Sequence, residues 1–142
     1  MRHGKVFLLI LLCCLFPLTA YAENKKVIVS CAELTSIEFE QPPPGYAVPR
    51  EECGDKCFFI VFTMENATAH RVNAELNAYK QFARELYIDD HLWGILEPFH
   101  IDLPYSQKIS SVKVYSTLES AMDDARAICP NATIRVPDTV RR

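Results

Sequence analysis

Apolar and polar residues alternate along several short stretches of the chain, and this period of two predicts β-strands. Residues 26–39 alternate with one break at Thr35-Ser36, and residues 108–116 and 132–136 read as two later strands. Residues 57–63 are almost wholly apolar and rich in aromatic and β-branched side chains, which is typical of a buried central strand.

Apolar positions three and four residues apart predict two helices. Residues 63–66 contain side chains that can cap the start of the first helix. Arg84 lies off the apolar stripe of this helix, on its polar side. Thr117 caps the second helix, Glu119 supports its first turn, and Pro130 ends it. The first stripe consists of Ala69, Val72, Leu76, Tyr79, Ala83 and Leu86.

The start of the chain carries the three parts of a secretory signal. Arg2 and Lys5 precede an uncharged apolar run at residues 6–18, and small residues stand at Ala20 and Ala22. The alternative is a membrane anchor, but the run is shorter than the roughly 20 residues of a membrane span. The pattern predicts a cleaved signal peptide at 1–22 and one domain at 23–142. We expect a soluble, secreted or periplasmic protein with no membrane span after cleavage.

Charge limits the partners of the mature chain. Loss of Arg2 and Lys5 with the signal leaves 13 basic and 18 acidic residues, a net charge of −5. Non-specific binding to nucleic acid needs a positive field, so nucleic acid and anionic membrane surfaces are poor partners.

Four cysteines remain after cleavage, and an even number in an exported chain predicts two disulfides. Three pairings are possible. We predict Cys53–Cys57, closed by a tight turn that contains glycine, together with Cys31–Cys129. A zinc site is the alternative, but only one pair of cysteines is close in sequence and the compartment is oxidising.

Two Asn-x-Thr triplets begin at Asn66 and Asn131. In a eukaryotic secretory pathway both asparagines are acceptors for N-linked glycan. The triplet alone does not decide whether either asparagine is modified.

Motifs for catalysis, phosphate binding or dinucleotide binding are absent from the sequence, which contains only four glycines. We therefore predict no cofactor and no metal. The densest polar group lies around His91 and His100, and an acid–base pair or metal site of a small hydrolase could be drawn from it. Alternatively, these side chains face water while Trp93 and Phe99 pack. The group consists of Asp89, Asp90, His91, Glu97, His100 and Asp102.

Residues 61–67 and 114–121 repeat one pattern, in which a strand, an aromatic residue and a hydroxyl residue lead into a helix. Two such strand–helix–strand halves predict an α+β fold. The expected form is a ferredoxin-like βαββαβ sandwich, with one mainly antiparallel sheet and two helices on one face. An additional N-terminal strand extends one edge.

The half-repeat in an exported chain resembles the sporulation-related repeat domains, which bind peptidoglycan glycan strands in bacterial envelopes. The resemblance covers residues 57–136 and is best over 112–136. It implies a glycan ligand on the open face of the sheet. The strand residues that it implicates are Phe59, Val61, Lys113 and Tyr115.

These patterns favour an exported, non-catalytic binding module whose partner is a glycan or a protein. Residues 91–105 are long and apolar for a loop, so Trp93 is a candidate binding residue, with a small core beneath the loop as the alternative. A second hypothesis is a secreted effector or inhibitor that acts through the Trp93 segment and the loop at 41–56. The small hydrolase is the third.

Overall fold

The computed structural model describes residues 23–42, 57–111, 113–136 and 138. The signal peptide predicted at 1–22 lies outside the described residues, as does most of the loop predicted at 41–56, including Cys53.

Strands and helices both form in the described residues, which confirms the α+β class. The two α-helices are α1 (Asn66–Ala78) and α2 (Leu118–Ile128), and a short 3-10 helix spans Cys31–Glu33. Within the described ranges, no helix has the length and hydropathy needed to cross a membrane. The strands are β1 (Lys25–Val29), β2 (Leu34–Glu40), β3 (Phe59–Met64), β4 (Arg84–Ile88), β5 (His91–Leu96), β6 (Lys108–Ser110) and β7 (Ile134–Arg135).

The strands form two sheets. In the first sheet, β4 lies between β1, with which it pairs in parallel, and β5, with which it pairs antiparallel. The second sheet has the order β6-β3-β2-β7, and only its β2–β7 pair is parallel. The single ferredoxin-like sheet is therefore not confirmed. The strand that follows α1 pairs with the N-terminal strand instead of lying in one sheet with β3.

Both sheets and both helices contribute to one hydrophobic core. Ile37 and Phe39 of β2 lie opposite Phe62 and Ile60 of β3, as their predicted alternation requires. The fully buried members from the other elements are Val27, Val29, Ile88, Ala69, Ala121, Ala125 and Cys129.

The structure confirms one predicted disulfide. Cys31–Cys129 joins the 3-10 helix to the residue that caps the C-terminus of α2. Cys57 is buried. The pairing of Cys57 with Cys53 stays a prediction, because Cys53 is outside the described residues.

Helix α2 follows its prediction closely. The Thr117 hydroxyl accepts a hydrogen bond from the Ser120 N–H at 3.1 Å, and Glu119 lies in the first turn. The predicted apolar stripe faces the core, and its members Ala121 and Ala125 are fully buried.

Helix α1 is shorter than predicted, because the stripe that extended to Leu86 belongs to two elements. The helix ends at Ala78, and Leu86 and Ile88 are buried with a period of two in β4. Residues 91–96, predicted as an irregular segment, form β5 after a two-residue turn. Asp89 in that turn has φ of 50°, a left-handed conformation that aspartate tolerates better than most residues.

Candidate functional site

A cavity of about 380 Å³ lies between strands of the two sheets. This size falls in the range of about 300–1,000 Å³ that is typical of ligand sites. Its lining is mainly apolar and comes from five elements and from the segment that connects β5 to β6. The larger apolar side chains that line it are Met64, Val72, Leu76, Leu86, Trp93, Ile95, Leu96, Leu103 and Ile109.

The cavity meets each sheet at an outer strand edge. Residues 93–96 of β5 and 108–110 of β6 line it as consecutive runs. Side chains on one face of a sheet alternate, so a consecutive run indicates contact along an edge. Among the described strands, β5 and β6 are the outermost strands of their sheets on these sides. We call this cavity the edge cleft.

The hydrogen-bond ladder of the first sheet leaves backbone groups of β5 turned outward. The Lys25 N–H donates to the Ala83 carbonyl, so odd-numbered residues from 83 onward bond to β1 and even-numbered residues bond to β5. Leu86 lies opposite Gly94 as one of these bonded pairs. The N–H and C=O of the next residue, Ile95, therefore point away from β4, toward the outer edge.

The second sheet has the same feature at β6. The Met64 N–H donates to the Gln107 carbonyl at 2.8 Å, and Phe62 and Ile109 are the next bonded pair along this antiparallel ladder. The two neighbours of Ile109 therefore turn their backbone groups to the outer edge.

These two neighbours are Lys108 and Ser110. The Ser106 hydroxyl accepts from the Lys108 N–H at 3.1 Å and donates to the Lys108 carbonyl at 3.0 Å. It thereby occupies both outward groups of Lys108. The outward N–H and C=O of Ser110, by contrast, have no hydrogen-bond partner among the described residues.

Trp93, which lines the cleft, carries an unpaired donor. It is the extra residue at a β-bulge between β4 and β5, a feature that redirects side chains. Its ring packs edge-on against Phe62, with the ring centres 4.6 Å apart. The indole Nε1 is buried and has no hydrogen-bond partner among the described residues. A buried unpaired donor costs about 1–3 kcal/mol.

Two asparagines of α1 fix one wall of the cleft, a role that sequence reasoning missed. Asn77 accepts from the Leu103 N–H at 2.7 Å and donates to the Leu103 carbonyl at 3.2 Å, while Asn73 donates to the Pro104 carbonyl at 3.1 Å. The i, i+4 spacing of the asparagines is visible in the sequence. Their partners are backbone atoms 26 and 31 positions away, and no pattern of side chains identifies those atoms.

Arg84 anchors the start of the same connecting segment (residues 97–107). Its side chain is fully buried, whereas the sequence placed it on the polar side of a helix. The guanidinium donates to the Leu76 carbonyl at 2.8 Å and to the Glu97 carbonyl at 2.6 Å. Burial lowers the pKa of this guanidinium. The prediction was wrong because α1 ends before residue 84, so Arg84 lies in a strand that alternates into the core.

Phe59 and Val61 lie on the face of β3 opposite to the core residues Ile60 and Phe62. Val61 is only 1% exposed, however. Lys108 on one neighbouring strand reaches Glu38 and Glu40 on the other, at 3.3 and 2.9 Å, so its side chain crosses over β3. Val61 therefore offers almost no accessible surface to a ligand.

Lys113 and Tyr115 lie together, but only Lys113 is exposed. Tyr115 is buried in the core and bonds to Asp124 of α2, so the expectation that it points away from the helices is wrong. The Lys113 ammonium is 4.6 Å from the centre of the Tyr115 ring and 2.7 Å from the Asp124 carboxylate. Burial, with a smaller effect from the hydrogen bond to Asp124, raises the pKa of the Tyr115 phenol. Trp93 contacts the opposite face of β3 from Val61, so the five predicted ligand-binding residues do not share one site.

The polar group around His91 does not assemble into a metal site. Among the described residues, no three His, Cys, Asp or Glu side chains come together closely enough to hold a metal ion. His91 contacts its neighbour Asp90 at 3.3 Å, while Asp102 pairs with Lys80 at 2.7 Å.

Glu33 ties the 3-10 helix to α1, the helix that forms part of the cleft. Its carboxylate accepts from the Ser30 N–H at 2.9 Å and pairs with Arg71 at 3.1 Å. The Ser30 hydrogen bond is the largest cause that lowers the pKa of Glu33, and Arg71 and Thr68 lower this pKa further.

Glu33→Gln is expected to lower the free energy of unfolding by about 1 kcal/mol at pH 7, the size typical of a cap or an exposed ion pair. Because folding lowers the pKa of Glu33, its stabilisation is present above the unfolded value near 4.5 and is lost as the pH falls through the folded value. The free energies of unfolding of the two proteins, measured with urea from pH 7 to pH 2, should therefore converge as the pH falls. Glu65→Gln is the control, since Glu65 makes no side-chain cap bond. Wild-type and Glu33→Gln curves that stay parallel to pH 2 would contradict this linkage.

Comparison of the chain with family models, with curated proteins and with solved structures finds no match. The resemblance to sporulation-related repeat domains therefore stays a prediction.

Proposed function

We propose that this protein is an exported, non-catalytic binding module that holds an apolar part of its ligand in the edge cleft. The observation that carries the proposal is the pairing of an apolar cavity with the buried, unpaired indole N–H of Trp93. Pockets that combine a mainly apolar lining with a few polar groups are the usual form of a ligand site.

Export is supported by the chemistry of the cysteines together with the signal pattern at 1–22. The Cys31–Cys129 disulfide is a bond that persists in oxidising compartments, such as the secretory pathway or the periplasm. The second predicted bridge, Cys53–Cys57, belongs to the same proposal.

The cleft favours an apolar ligand over a glycan. Recognition of sugar hydroxyls requires several convergent polar side chains, and most of the side chains that line this cleft are apolar. The outer face of the second sheet, where the resemblance implies a glycan, is crossed by Lys108 on its way to Glu38 and Glu40. A protein partner that contributes apolar side chains fits the edge cleft better.

Trp93 provides the test, because it is the only tryptophan in the chain. Mature protein (residues 23–142) is titrated with decanoate and, separately, with a pool of octapeptides in which apolar and polar residues alternate. We expect a saturable change in Trp93 emission with at least one of the two probes.

Leu76→Phe narrows the cleft with an added ring and is expected to weaken binding at least fivefold, about 1 kcal/mol. Leu118→Phe is the matched control, since Leu118 is also a partly buried helix leucine packed against the core but does not line the cleft. A protein that responds to neither probe would overturn the proposal. So would sedimentation with purified peptidoglycan sacculi that Leu76→Phe leaves unchanged.

A further inference from the structure

We propose that the occupant of the edge cleft is an extended peptide strand from a partner protein, bonded to the outer edges of β5 and β6. This inference rests on the proposed function and names the class of ligand. In such strand addition, main-chain hydrogen bonds supply affinity and pockets for alternate side chains supply specificity.

The first support is the backbone of the two edges. Ile95 in β5 and Ser110 in β6 each turn an N–H and a C=O outward, and both residues line the cleft. A peptide strand offers donors and acceptors in alternation along both of its sides, which matches two facing strand edges. A hydrocarbon ligand would leave all of these groups unpaired.

The second support is the lack of protection along β5. Exposed sheet edges usually carry charges or proline that prevent pairing with other chains. The sequence of β5, His-Leu-Trp-Gly-Ile-Leu, has no lysine, arginine, acid or proline, and the side chains of Leu92 and Ile95 are 51% and 54% exposed. The far edges of the two sheets carry charges, since β1 begins with Lys25-Lys26 and β7 contains Arg135. β6 also begins with a lysine, but the ammonium of Lys108 is held over β3 by Glu38 and Glu40.

The third support is the indole of Trp93. Its buried Nε1 requires an acceptor, and a peptide strand brings carbonyl oxygens at regular intervals. The apolar lining around Trp93 is suited to every second side chain of the same strand. With the strand in place, the strand order becomes β1-β4-β5-peptide-β6-β3-β2-β7, so that the two sheets form one.

The strand is assigned to a partner protein, and titration with added peptide tests this assignment. A cleft already filled by another part of this chain would bind no peptide.

The experiment uses the octapeptide pool and the best-binding single peptide drawn from it. Ile95→Pro removes the outward N–H of β5 without removing a bond to β4, and Ile95→Ala retains that N–H. Ser110→Pro and Ser110→Ala form the same pair on β6. Each proline variant is expected to weaken peptide binding about five- to tenfold relative to its alanine partner, the effect of one lost hydrogen bond. An unchanged melting temperature verifies the fold of each variant, and decanoate binding should be retained if the wild type shows it.

Two measurements without mutation complete the test. N-methylation of alternate residues in the peptide should weaken its binding at least tenfold in one of the two registers. The amide hydrogens of Ile95 and Ser110 should exchange more slowly in the complex than in the free protein. Equal effects of proline and alanine, or indifference to N-methylation in both registers, would overturn strand addition. Binding of decanoate without binding of any peptide would overturn this inference but leave the proposed function intact. If neither probe binds, both fail.

Discussion

Replacement of Cys31 and Cys129 together by serine is expected to lower the free energy of unfolding by about 4–5 kcal/mol. The bridge spans a sequence separation of 98, and closure of a loop of about 100 residues in the unfolded chain is worth about 4.7 kcal/mol in the chain-entropy model. Cys129 is also fully buried, so its replacement disturbs the core that α2 shares with the second sheet. Urea unfolding of the oxidised mature proteins measures the difference.

The matched control is the Cys53→Ser, Cys57→Ser double variant. The predicted Cys53–Cys57 bridge closes a ring of only five residues, for which the same model gives about 2 kcal/mol. Comparison of the two double variants therefore tests the dependence on loop length as well as the bridge itself. A loss at Cys31 and Cys129 no larger than the loss at the short ring would contradict the expected role of the long bridge.

Elements whose signals are local were predictable from the sequence. Helix α2 carries a threonine cap, an acid in the first turn, a regular apolar stripe and a terminating proline, and these four signals agree. The apolar run from residue 57 likewise predicted β3, which lies between two strands. The break at Thr35-Ser36 corresponds to the irregular register of β2 against β3 between Leu34 and Ser36.

The partition into two sheets was not predictable, because strand pairing depends on contacts that are distant in sequence. The alternation of Val27 and Val29 predicts a strand but does not identify β4 as its neighbour, some 59 positions further along. The same ambiguity affected α1, since Ala83 and Leu86 satisfy a helical period, although Leu86 lies in β4, which has a period of two, and Ala83 directly precedes that strand.

The edge cleft was only partly predictable for a related reason. Trp93 was identified from the unusual apolar content of its segment. The other functional groups of the cleft are the outward backbone groups of Ile95 and Ser110, which belong to the ladder and have no signature in side-chain chemistry. Ser106 and the asparagines of α1 bond to backbone as well, so their roles emerge only once the chain is folded.

Arg84→Met is expected to lower the free energy of unfolding by about 2–3 kcal/mol and to loosen the connecting segment at 97–107. Methionine retains an apolar stem but no donor, so the carbonyls of Leu76 and Glu97 lose their partner, at about 1–3 kcal/mol for each group left unpaired in the interior. Loss of the cation above the Phe99 ring, 5.2 Å away, adds to this effect. The desolvation cost of a buried guanidinium without a carboxylate partner offsets part of the loss, which keeps the expected net value below the sum.

Arg71→Met is the control for Arg84→Met, because Arg71 lies on α1 with its side chain 40% exposed and pairs with carboxylates at the surface. Its replacement should cost at most about 1 kcal/mol. Hydrogen exchange separates global from local effects, since only the Arg84 variant should speed exchange at residues 97–107 before global unfolding. Equal stability of Arg84→Met and wild type would contradict the prediction. It would mean that the carbonyls of Leu76 and Glu97 bond to water or other donors, and that the Arg84 guanidinium adds no net stability. Slower exchange in that segment would contradict the anchoring role directly.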